Sequence, residues 1–137
     1  MNIKLRAKNL IERCGTKNLF RICEKLKIDI IFTNIGDIKG FYNSVLGNKY
    51  IIINEKLSEA EAKVVLAHEL GHAILHSTRC TRFMLDYTNV IRTAKQEKEA
   101  NKFASYLLRE IFGEEDILED EFMLKIEILQ EMKSYLK

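Results

Sequence analysis

No stretch of this 137-residue chain approaches the roughly 20 consecutive apolar residues that a membrane-spanning helix requires. The first residues, Met1 to Arg13, form a charged amphipathic segment where a secretory leader would carry an apolar core. Both absences point to a cytoplasmic protein that does not engage a membrane. Cysteine is scarce: Cys14, Cys23 and Cys80 are odd in number, widely spaced and form no C-x-x-C. That excludes a disulfide framework and a thiolate metal clip, and leaves buried or incidental thiols of a reducing compartment. Net charge is small as well, at +2.

The charge that is present is unevenly spread. Residues 1–27 carry eight Lys or Arg against two Glu, whereas residues 114–137 carry three against eight acidic groups. A basic front of this kind serves either nucleic acid or a solvated helix face packed near an acidic C-terminal helix. Residues 2–14 and 17–26 read as two short helices joined through Gly15-Thr16, with Lys17, Arg21 and Lys25 on the second. The outline superficially satisfies a DNA-reading helix-turn-helix, but many αα-hairpins share it, and no direct sequence-specific binding of nucleic acid is expected.

Histidine is equally scarce, and its placement is the chain's most informative feature. All three histidines, His68, His72 and His76, fall within nine positions, and the first two bracket Glu69 in the run H-E-x-x-H. On a helix, residues four apart lie about 40° apart around the axis and roughly 6 Å along it, so the imidazoles of His68 and His72 can close on one metal ion. Glu69 stands about 60° from His72, near enough to hold a water at that ion. From Val64 to Leu75 the only polar side chains are His68, Glu69 and His72, so the helix is apolar in nearly every direction and belongs in the interior. Burying two imidazoles and a carboxylate unpartnered would cost several kcal/mol, which a cation would offset. Ser58 and Glu61 supply a capping box at the helix start. Gly71, in mid-helix, either admits another backbone or is simply tolerated.

The remaining segments define an α+β fold in one domain, residues 1–137: an N-terminal helix pair, a short β-sheet, the buried histidine helix, a further helix and an acidic C-terminal helix. Ile28 to Thr33 reads as a strand, and Gly40 to Leu46 and Lys49 to Ile53 as a hairpin turning at Gly47-Asn48. One strand of such a sheet commonly stays an edge, to which an extended peptide can add.

Catalytic zinc sites usually take three protein ligands and one open position. The best source of the third is the helix that opens with Thr93 and Gln96 as a capping box and ends at Gly113. Its apolar stripe is Ala100, Phe103, Ala104, Leu107, Leu108 and Ile111, with Glu97 and Glu99 at opposite margins. Helical spacing leaves the choice between them open.

Taken together, Gly15-Thr16, Lys39-Gly40-Phe41-Tyr42, Tyr50-Ile51-Ile52-Ile53-Asn54, the run from Ala67 to His76, and Glu99-Ala100-Asn101-Lys102-Phe103-Ala104 resemble the ImmA/IrrE family of metallopeptidases. The resemblance covers most of residues 15–110. It implies a small zincin-like metallo-endopeptidase domain in which Glu99, the glutamate of E-A-N, joins His68 and His72 on Zn2+, with another divalent ion such as Mn2+ as the alternative. Glu69 would then be the general base, and His76, Tyr42 and Tyr106 candidates for an oxyanion partner or, for His76, a support behind the metal ligands. The implied substrate is a helix-turn-helix repressor of a phage or integrative element, whose cleavage relieves repression. A metal-stabilised module that sequesters the repressor uncut is the competing expectation. Lys17-Asn18-Leu19-Phe20 departs from the Asp-Pro that relatives often carry, which touches a helix start and not the site. Residues 77–92 match no family pattern.

Overall fold

The computed structural model describes residues 2–76 and 93–112. The expected acidic C-terminal helix, the stop at Gly113 and the segment 77–92 lie outside the described residues. The order of elements is α1 (Ile3–Cys14), α2 (Leu19–Lys25), β1 (Ile28–Thr33), β2 (Gly40–Val45), β3 (Asn48–Asn54), α3 (Glu59–Leu75) and α4 (Ala94–Phe112). The architecture is α+β, as the order of segments in the sequence predicts. Among the described residues no helix is long and apolar enough to cross a membrane.

Local chemistry sets the boundaries. The Asn2 side chain accepts from Leu5 N at the start of α1, and Gly15 closes the helix in the left-handed region, with φ 66°. The second helix begins two residues later than the apolar pattern predicts, because the Asn18 side chain accepts from Phe20 N and Arg21 N and so takes the cap position. The hairpin turn also shifts by one residue. Val45 pairs with Asn48, and the two turn residues are Leu46 and Gly47, at φ 52° and φ 83°. Positive φ at both positions is the type I′ geometry that matches strand twist, so the exposed Leu46 occupies a conformation usually given to Asn or Gly.

The sheet runs β1-β3-β2, with β3 central, parallel to β1 and antiparallel to β2. Ile51 and Ile53 of β3 are fully buried, and α3 packs on β2 and β3. On its other side α3 meets α4, which is in turn crossed by α1. The histidine helix is thus enclosed between a sheet and a helix. The capping box at Ser58 is formed in full, the Ser58 hydroxyl accepting from Glu61 N while the Glu61 carboxylate reaches back to Ser58 N. Upstream, buried Asn54 donates from Nδ2 to the carbonyls of Gly36 and Ile38 and accepts from Lys56 N, fixing the exit of β3 toward α3. Cys14 and Cys23 are buried and unbridged, and burial beside Cys14 pushes the Cys23 thiol up to about 12. Both behave as small apolar residues, as their spacing indicates.

Gly40 marks a close approach between sheet and helix. A Cβ there would stand 2.7 Å from Val65 Cγ1 and 2.8 Å from the Ile52 carbonyl oxygen. Gly40→Ala must displace both the Val65 side chain of α3 and the Ile52 backbone of β3, and a loss of about 1–3 kcal/mol is expected. Urea denaturation checks it; an unchanged midpoint would mean that the two layers separate freely at this point.

Candidate metal centre

Every residue of α3 from Val64 to Ala73 is buried, so the apolar pattern on all sides of the helix means what it implies. His68, Glu69 and His72 are carried into that interior at 6%, 3% and 1% exposure. The His68 and His72 rings stand edge to face, with centroids 4.8 Å apart.

Facing them is Glu97, from the first turn of α4. Its Oε1 lies 2.5 Å from His72 Nε2 and 3.5 Å from His68 Nε2, yet none of these three buried atoms has a partner in hydrogen-bond geometry among the described residues. His68 Nδ1 is likewise unpaired. One ligand atom from each of His68, His72 and Glu97 falls within 4.8 Å of the others. Buried lone pairs that converge without bonding one another are the arrangement that suits a cation, and two imidazoles with one carboxylate form a recognised donor set for zinc. The residues present fit a divalent ion.

Protonation agrees with that assignment. Burial holds the His72 imidazole down at about 4, outweighing the opposing pull of Glu97 and Glu69. Burial opposes ionisation of Glu97, but the polar contacts with His68 and His72 outweigh it and hold the carboxyl below its usual range. A neutral imidazole and an ionised carboxylate are the forms that bind metal.

The third acidic position corrects the expectation drawn from E-A-N. Glu99 does not meet His68 or His72; its Oε1 is 3.0 Å from His76 Nε2. The reason is angular. At about 100° per residue Glu97 falls inside the arc swept by Ala100, Ala104 and Leu108, while Glu99 lies roughly 40° beyond its far edge at Phe103. The spacing of Glu97, Ala100 and Ala104 carries that signal, since all three fall on one arc of the helix. Gly71 secures the approach. A Cβ there would sit 3.2 Å from both Cα and O of Ala100 and 3.3 Å from Phe103 Cδ1, so the glycine admits the α4 backbone.

The other expected residues separate. His76 caps α3, with its Nδ1 3.1 Å from His72 Nδ1. Tyr42 sits mid-strand in β2 opposite Ile51, its hydroxyl buried and unpaired among the described residues. Tyr106 is placed away from the cluster: it follows Glu97 by nine residues, about 13 Å along α4 and on the opposite side of that helix, with the Arg109 guanidinium over its ring.

A buried H-E-x-x-H helix with a glutamate supplied from a following helix defines the metallopeptidase class. The chain belongs to the ImmA/IrrE family: residues 23–110 match the model of the IrrE N-terminal-like domain, peptidase M78. It is 41% identical over 107 residues to "Uncharacterized immunity region protein 2" of Bacillus phage phi105, across 77% of this chain and 67% of that protein. It is 34% identical over 108 residues to "Metallopeptidase ImmA" of Bacillus subtilis (strain 168), across 77% of this chain and 62% of that one. The matched region thus spans about two thirds of these relatives' length. No solved structure matches.

Purified protein is expected to carry about one divalent ion per chain. Glu97→Ala and His72→Ala should lose it, and Glu99→Ala should keep it. Metal analysis of the three variants checks this, and full occupancy in Glu97→Ala would contradict the geometry.

Proposed function

We propose that the protein is a zinc-dependent endopeptidase that hydrolyses one peptide bond in a helix-turn-helix repressor of a phage or integrative element, and so relieves repression. The observation that carries the reading is the convergence of His68, His72 and Glu97 with their buried lone pairs unused. Membership of a metallopeptidase family supports the reaction, and likeness to an immunity-region protein of a phage supports the setting.

Bound there, a zinc ion would polarise the scissile carbonyl and a neighbouring water. The proton traffic falls to Glu69. It follows His68 directly in α3, is almost wholly buried, and acts electrostatically on His72. From that place Glu69 accepts a proton as the water oxygen bonds to the carbonyl carbon, then returns it to the amide nitrogen as the carbon–nitrogen bond breaks. The enclosed position of Glu69 also keeps bulk water from competing for that proton.

Glu69→Gln isolates this role, because the amide has nearly the same shape but cannot serve as a base. Zinc content and repressor binding should persist while cleavage falls by about two to four orders of magnitude. The measurement is co-expression of the repressor with wild type or Glu69→Gln, following intact repressor and a reporter that it silences. Derepression by Glu69→Gln equal to wild type, with the repressor uncut in both, would replace the peptidase reading with sequestration.

A further inference from the structure

Beyond the three converging atoms, the polar chain continues through the protein. His72 Nδ1 is 3.1 Å from His76 Nδ1, and His76 Nε2 is 3.0 Å from Glu99 Oε1. Both histidines are buried. The two carboxylates of α4 therefore reach opposite ends of one path, Glu97 at His72 Nε2 and Glu99, through His76, at His72 Nδ1. Residues two apart on a helix do not share a face, so Glu97 and Glu99 cannot close on the same ion. Nor is His76 a ligand in this arrangement, since it turns Nδ1 to His72 and Nε2 to Glu99 and stands outside the converging set.

We infer that His76 and Glu99 are positioning residues that fix the ring orientation and proton location of His72 for metal binding. The inference rests on His72 being a ligand through Nε2, as proposed above. That leaves the His72 proton on Nδ1, where it is donated to His76 Nδ1. His76 must accept at that nitrogen, so its own proton resides on Nε2 and is donated to the Glu99 carboxylate. Each donor meets one acceptor, and the proton-donating chain that runs from His72 Nδ1 ends on the Glu99 carboxylate. A carboxylate behind a ligating histidine raises the basicity of that ligand and holds its ring. Here a second imidazole transmits the effect.

The test is zinc affinity of the full-length protein by chelator competition, together with histidine 15N spectra of the zinc-loaded form. His76→Ala and Glu99→Leu should still bind about one zinc per chain, but about 10–100-fold more weakly than wild type. Glu99→Gln keeps an acceptor oxygen at the same place and should recover most of that loss, a distinction to which mere packing is blind. Because the residues act in series, the double variant should bind no more weakly than His76→Ala alone. In the spectra, the His72 Nδ1 proton should exchange slowly in wild type and Glu99→Gln, and rapidly in Glu99→Leu. Wild-type affinity and slow exchange in Glu99→Leu would overturn the inference, as would complete loss of zinc from that variant, which would make Glu99 a ligand. If wild type itself bound no zinc, the metallopeptidase reading would fail first, and the positioning role with it.

Discussion

Buried ring nitrogens of His68 and His72 and a buried carboxylate oxygen of Glu97, converging without a hydrogen-bond partner among the described residues, are the constraint around which this fold is arranged. A buried polar group without a partner costs about 1–3 kcal/mol in a protein, and the described structure places several such atoms of His68, His72 and Glu97 together. A fold of marginal stability does not collect such losses at one point without compensation. A divalent cation would meet one nitrogen of each imidazole and the carboxylate oxygen at once, and binding it would contribute directly to the stability of the fold. The capping box, the apolar enclosure of α3 and the close packing of α4 all serve to hold those atoms in place.

The contact between α3 and α4 decides which carboxylate completes the set. Gly71 removes the side chain that would separate the helices, and Ala100, directly opposite, keeps the approach close. Glu97, one turn before Ala100, is thereby delivered to the imidazoles. Glu99 emerges on another side of α4 and reaches the site only through His76. A pair of residues separated by a single position thus takes two different parts, one in front of His72 and one behind it.

Much of this was legible in the residues. The buried helix, its capping box and the pairing of His68 with His72 follow from spacing and polarity alone, because a helix apolar on all sides admits only interior placement. The strands were readable from their β-branched runs, but the turn was placed one residue late, since Gly47-Asn48 is the familiar signal and Leu46 at positive φ is not. The carboxylate that meets the two histidines differs from the expected one, Glu97 standing where Glu99 was expected. Glu97 and Glu99 lie two positions, about 200°, apart on α4, and the close approach at Gly71 shows that the Ala100 side of the stripe, on which Glu97 falls, faces the histidines. Tyr106 lies nine residues beyond Glu97, about 13 Å along α4 and on the opposite side of the helix, a separation that residue type alone does not carry.

The most direct test of the account is an anomalous-diffraction map from crystals of the zinc-loaded protein. The expected result is one strong peak within about 2.0–2.2 Å of a nitrogen of His68, Nε2 of His72 and a carboxylate oxygen of Glu97, with Glu99 still bonded to His76. A peak bounded by His72, His76 and Glu99, or none near α3, would contradict it.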